Sequence, residues 1–262
     1  MRSYQSVCSS AGCARRLAGP CLPASGASAV ASATPALSEP RLHAGWDTHG
    51  YPGRLIVIEG GDRSGRSTQV RLLAKWLERR NLDVVLTDWS TSPHISKAIH
   101  KAKAENALRP ITYSLFYAAD FADRVAQVIV PALQRGEVVL ADRYMYTAFA
   151  RDCARGADPQ WVRRLYSFAP RPDLVIYLRV PPEVTSQRAP SSAVKAIDRY
   201  EIGLDLGLST DPEESFQLYQ QRVFEEFERL AQEFGMIVVD GVSDVEQIQR
   251  LVRDRVAELV SQ

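Results

Sequence analysis

From Arg54 onward, apolar residues fall into two rhythms. Short unbroken apolar runs occur at Leu55–Ile58, Val84–Leu86, Val138–Leu140, Leu174–Leu178 and Met236–Val239. Each is too short for a helix and lacks the alternation of a half-exposed strand, so each predicts a strand covered on both faces. Between these runs, apolar positions recur every three or four residues. Val70, Leu72, Leu73, Trp76 and Leu77 mark a helix over Ser67–Arg80. The same rhythm predicts helices over Ile111–Leu133, where Pro131 would bend or end the helix, Tyr146–Cys153, Pro159–Phe168, Pro212–Phe234 and Val245–Val260. Strands separated by helices predict an α/β fold: a five-stranded parallel sheet with helices on both faces. No internal repeat is visible.

The first 53 residues do not follow either rhythm. Residues 1–53 are rich in Ala, Ser, Gly and Pro, with only two acids, Glu39 and Asp47. They read as a disordered extension or a start assigned too far upstream, and residues 54–262 as the folded domain. Three of the four cysteines, Cys8, Cys13 and Cys21, lie in the extension at a spacing that matches no zinc pattern. Arginines with few acids also fit an organellar transit peptide, the alternative to a cytoplasmic protein. The net charge of +1 gives no reason to expect a nucleic-acid partner. No apolar run approaches the ~20 residues that cross a bilayer.

Candidate chemistry starts where the first strand ends. Gly60, Gly61, Asp62, Arg63, Ser64, Gly65, Arg66, Ser67 and Thr68 join that strand to a helix. Glycines at such a turn let backbone N–H groups close around phosphates, a cation reaches the terminal phosphates, and the hydroxyl meets magnesium. This is the phosphate-loop pattern with Arg66 where lysine is usual. The exchange keeps the charge but substitutes a bulkier planar fork. A second strand ends in Asp142-Arg143-Tyr144. A carboxylate there suits a magnesium-associated acid, and the arginine a phosphate clamp.

Read together, these segments resemble the thymidylate kinase family of nucleoside monophosphate kinases. The family's E-G-x-[DE]-x-x-G-K-[ST]-T-Q is matched by Glu59 to Gln69, its D-R-[YF] by Asp142 to Tyr144, and its P-D before a strand by Pro172-Asp173. Its lid-proximal motif is matched by Asp198-Arg199-Tyr200-Glu201, and its A-A-D-R-A by Ala118-Ala119-Asp120-Phe121-Ala122. The resemblance implies a phosphate-loop fold with a mobile lid, and transfer from ATP to dTMP with Mg2+ in nucleotide biosynthesis. It implies catalytic roles for Asp62, Arg63, Arg66 and Arg143, donor binding by Gly60 to Thr68, and metal contacts from Ser67 and Asp142. It implies acceptor contacts from Phe121, Arg143, Arg199 and Tyr200, with Tyr200 against the sugar, and a homodimer.

The departures shape what is expected of the acceptor. Phe121 stands where the family has the arginine that contacts thymine, and Asp88 to Pro93 offers no arginine. A residue that stacks but cannot donate predicts a relaxed choice among pyrimidine monophosphates. A second reading, from a different class, is a catalytically silent nucleotide-binding homologue that regulates or scaffolds. Trp76 and Trp161 read as helix-face packing, and Cys153 as a small buried residue.

Overall fold

The computed structural model describes residues 49–188 and 198–261. The readings of residues 1–48, including the three cysteines and the transit segment, lie outside the described residues.

Five strands form one sheet: β1 (Arg54–Glu59), β2 (Val84–Asp88), β3 (Val138–Asp142), β4 (Leu174–Arg179) and β5 (Ile237–Asp240). Their order is β2-β3-β1-β4-β5, and every pairing is parallel. All five lie where apolar runs predict them. Successive side chains on a strand face opposite sides, and the chain uses both. Leu55, Val57, Val139 and Ala141 join one apolar layer; Ile56, Ile58, Val138 and Leu140 join the other. The first layer packs against α3 (Pro110–Arg124), α5 (Met145–Ala154) and α8 (Pro212–Glu233). The second packs against α1 (Arg66–Glu78) and α9 (Val245–Val260). A fully buried Leu, Ile or Phe contributes ~1.5–3 kcal/mol, so the two layers are the main source of stability.

Three helical features differ from the sequence pattern. The long helix predicted over Ile111–Leu133 is helical throughout but changes form: α3 runs into a π-helical stretch, Val125–Ile129, and then α4 (Val130–Gln134). Pro131 is the cause, because it has no N–H to give the carbonyl one turn earlier and its ring crowds that carbonyl. A helix α2 (Ser96–Ala104) appears where no periodicity predicts one, since Ile99 is its only fully buried apolar residue. Two short elements, α7 (Pro182–Gln187) and a 3-10 turn at Leu204–Leu206, also lack a sequence signal. A short α6 (Pro159–Leu165) begins behind Asp158, whose carboxylate accepts the Trp161 N–H at 2.7 Å. The expected lid falls partly on residues 189–197, outside the described residues.

The domain begins before Arg54. His49 donates to Asp173 at 2.9 Å, Asp173 also accepts the Leu55 N–H at 2.7 Å, and the Gly53 N–H bonds the Leu133 carbonyl at 2.9 Å. A chain beginning at His49 is expected to melt at the temperature of the full chain. One beginning at Arg54 loses two hydrogen bonds to the rest of the domain, His49–Asp173 and Gly53–Leu133, and is expected to melt several degrees lower, at about 2–4 °C per kcal/mol lost. Calorimetry that finds both truncated chains melting together would show that residues 49–53 add nothing.

Candidate active site

The loop between β1 and α1 needs glycine where it turns most sharply. Gly60 lies at φ 152°, and a Cβ there would come within 2.8 Å of the Leu178 carbonyl and of Ser64 Oγ. Gly65, at φ 92°, is the residue before α1. Two arginines in the site share a left-handed backbone, Arg63 at φ 61° and Arg143 at φ 77°. Such a conformation costs a long side chain ~1–3 kcal/mol and persists where the surroundings enforce it.

Arg66 turns inward. Its Nε donates to Asp142 Oδ1 at 3.0 Å, and its Nη1 donates to the carbonyls of Gly60 and, at 2.5 Å, Gly61, with Ser64 Oγ at 3.5 Å. The guanidinium therefore spans the loop and ties it to the end of β3. A lysine ammonium has no second nitrogen to make both connections. Burial pushes the Arg66 pKa down, and Arg143 adds to this, against the pull of Asp142, Asp62 and Glu59.

Ser67 donates to Asp142 Oδ2 at 2.5 Å. These hard oxygens are the donor type magnesium takes, and an ion that keeps several waters needs few protein ligands. Ser67 and Asp142 therefore fit the ion that the loop implies. Among the described residues no group of three or more His, Cys, Asp or Glu could hold a metal alone, so phosphate and water oxygens would complete its shell.

Asp62 is the meeting point of the cations. Arg143 Nη2 bonds its Oδ1, Arg151 Nη2 reaches both oxygens at 2.9 Å, and Gln220 Nε2 lies 3.3 Å from Oδ2. Burial alone would raise this carboxyl's pKa. Arg151, Arg143 and Arg66 instead hold it well below the usual range. Arg151, from α5, and Gln220, from α8, have no sequence motif, and only the fold brings them here. Beside them, Asp62, Arg63, Glu201 and Phe216 line a cavity of about 240 Å³, with the Arg63 guanidinium 5.3 Å from the Phe216 ring centre.

Glu59 fixes this arrangement from below. It is fully buried, and its carboxylate accepts the N–H groups of Tyr144 (2.8 Å) and Thr147 (3.1 Å) and the Thr147 hydroxyl (2.7 Å). It thus caps the start of α5 from β1. Burial pushes its pKa up against these bonds and against Arg66 and Arg143.

The remaining predicted residues are placed differently. Tyr200 is buried, its hydroxyl accepts the Leu108 N–H at 3.0 Å, and its ring lies 5.9 Å from that of Tyr113. Arg155, just after α5, bonds its carbonyl and Asp205, and Lys103 bonds Asp198 and Glu201 at 3.3 and 3.2 Å. Arg199 is exposed beside it. Phe121 is fully buried and packs against Tyr144, Tyr166, Phe168 and Trp89. Its ring belongs to the core, so stacking on a base would require a neighbouring ring to move.

Comparison with known proteins agrees with this architecture. The family model described as Thymidylate kinase matches residues 58–252. Probable thymidylate kinase 2 of Saccharolobus solfataricus is 42% identical over 209 residues, covering 79% of this chain and 97% of its own length. The probable thymidylate kinases of Pyrococcus abyssi and Thermococcus gammatolerans are 34% and 36% identical, covering 75% and 76% of this chain and 92% and 93% of their own lengths.

Two outcomes are expected. Arg66→Ala leaves the buried Asp142 and two loop carbonyls without their partner, so it should destabilise the nucleotide-free protein by about 3 kcal/mol. An unchanged melt with weaker ATP binding would mean that Arg66 acts only as a charge. The second outcome concerns Asp152, on α5, whose Oδ2 is buried without a partner. Burial raises its pKa from 3.8 to about 6, against Ser114, Arg155 and Arg151. The folded protein holds the proton more tightly than the unfolded chain, so stability should fall as pH rises from about 4 to 6 and then level off. Asp152→Asn should remove that loss, on the order of 3 kcal/mol at pH 7. Melts at pH 4 and pH 7 that shift equally in both proteins would count against it.

Proposed function

The chain belongs to the thymidylate kinase family, and from that premise we propose that it transfers the γ-phosphoryl group of ATP to dTMP, giving ADP and dTDP. The observation that carries the reading is the convergence of Arg143 and Arg151 on Asp62 at the mouth of the glycine loop. Phosphoryl transfer asks a protein chiefly for in-line positioning and positive charge on the migrating group. Backbone N–H groups of Gly60 to Thr68 cradle the donor phosphates, with Arg66 holding the loop in shape from behind. Magnesium, held through Ser67 and Asp142, would neutralise the β- and γ-phosphate oxygens. Arg63, at the lip of the cavity, supplies charge as the bond to the acceptor phosphate oxygen forms and the bond to the leaving ADP oxygen breaks. Arg143 and Arg151, aligned by Asp62, hold the acceptor phosphate. Arg151 thereby supplies the acceptor-side cation that the stretch Asp88–Pro93 lacks. The reading carries a cytoplasmic setting and a homodimer with it.

The direct test is diphosphate formation from dTMP, ATP and magnesium. Arg151→Gln is expected to lower kcat/KM for the acceptor about a hundredfold, the value of a charge-assisted hydrogen bond, and to leave the KM for ATP within a factor of about 2. An acceptor KM that does not move would reduce Arg151 to a prop for Asp62.

A further inference from the structure

One carboxylate at the cavity stands among the cations of the site without joining them. Glu201 lines the cavity with Asp62, Arg63 and Phe216, and its charge acts on Arg151. Among the described residues it bonds neither arginine. Its Oε1 accepts instead from Lys103 Nζ at 3.2 Å, and Asp198 Oδ2 lies 3.3 Å from the same nitrogen. Lys103 comes from α2 and is 8% exposed. A lysine is rarely buried unless it is paired, and holding its long stem in one arrangement costs ~1.5–2 kcal/mol of side-chain entropy. The two acids are partly exposed, at 28% and 39%, so the pairing adds little stability to set against that cost.

The lysine is presented from a fixed base. Ile99, Leu108, Tyr113, Tyr117 and Tyr200 form a small core apart from the two sheet layers. Trp89, from the loop after β2, packs against it and stacks on Tyr117, with ring centres 5.7 Å apart and planes 16° from parallel. Tyr200 belongs to the same segment as Asp198 and Glu201, and its hydroxyl bonds the Leu108 N–H between α2 and α3. From the other side, Arg155 bonds the Tyr200 carbonyl and Asp205. The segment is thus fastened at its ring and its backbone, and the Glu201 side chain is the part free to turn.

Arg63 is the cation open to capture. Arg143 and Arg151 bond Asp62, and Arg66 bonds Asp142. Among the described residues no carboxylate pairs with Arg63. Its Nη1 is buried without a hydrogen bond, and its guanidinium lies 5.3 Å from the Phe216 ring centre. A buried charged donor left unpaired is costly and calls for an explanation. An arginine already matched by a neighbouring carboxylate offers less charge to a group crossing the cavity. Glu201 shares that cavity and is the acid placed to make such a match.

We propose that Lys103 is a positioning residue for phosphoryl transfer: it holds Glu201 away from Arg63, so that the arginine meets the migrating group with its charge uncompensated. The inference rests on the proposed nucleoside monophosphate kinase reading. Lys103 acts only through Glu201, and Asp198 keeps the ammonium seated beside it. Without the lysine, Glu201 turns to the nearest open cation, which is Arg63. Arg63 serves charge that develops as the phosphoryl group moves, so its capture lowers kcat and leaves ground-state binding of both nucleotides nearly as it was.

The test uses the full chain with dTMP, ATP and magnesium. Lys103→Met should lower kcat about a hundredfold and leave the KM for ATP and for dTMP within a factor of about 3. Adding Glu201→Gln keeps the length of that side chain and removes its charge. The double variant should recover at least about tenfold of the lost kcat, the non-additivity expected of a residue that acts through another. A lysine that only supports α2 gives no such recovery, and that result overturns the inference. So does a Lys103→Met protein with the kcat of the wild type. If Lys103→Met does not fold, the double variant decides: a folded protein with more than about a tenth of the wild-type kcat supports the inference, and an unfolded or less active one overturns it. A wild-type protein that makes no dTDP sinks the kinase reading too, whereas turnover by the wild type with no recovery in the double variant sinks this inference alone.

Discussion

A carboxylate without access to water organises this site. Glu59 ends the central strand and accepts three hydrogen bonds from the start of α5. Its burial is tolerable because three donors of that turn meet it, and because Arg66 and Arg143 stand nearby. Through that contact, the strand that leads into the phosphate loop also sets the axis of α5. Arg151 and Asp152 ride on that helix, and Arg155 follows its end. Arg143, one residue before Tyr144, is held in its left-handed conformation by the same turn and by its N–H bond to the Ile58 carbonyl at 3.2 Å.

The rest of the charge network follows as a chain of paired groups. Asp142 joins Arg66 and Ser67, and Asp62 joins Arg143, Arg151 and Gln220. One acid serves several cations in this set, since Arg66, Arg143 and Arg151 all act on Asp62. Such coupling explains how arginine can occupy the loop position where lysine is usual. The planar fork is used for what it does best, bonding two directions at once, and the charge facing the ligand is distributed over neighbouring side chains.

Much of the fold was legible in the chain because parallel strands buried on both faces appear as plain apolar runs, as Leu55–Ile58 and Val138–Leu140 do. The glycine loop was legible because left-handed turns and close approaches restrict residue type. Arg151, Gln220 and Lys103 were not. Each lies on a helix, where a polar residue at that spacing normally faces solvent, and each meets a partner 89 to 158 positions away. Local pattern carries no signal of that kind. α2 escaped for the opposite reason, having a single fully buried apolar residue to mark its face. Phe121 shows the limit of motif transfer. Its position in the motif suggested a ligand contact, while its neighbours Tyr144, Tyr166 and Phe168 make it part of the core.

Trp89 also gives the protein an optical property. Of the tryptophans in the described residues, Trp76 packs with the α1–α9 layer beneath the guanidinium of Arg80, and Trp161 sits on α6. Trp89 alone stacks on a ring of α3, against Tyr117 and near Arg124. A shift of the loop that carries Trp89 against α3 changes what the indole faces, away from a tyrosine ring and a cation. The emission of that native indole would then report such a shift in real time, with no label attached.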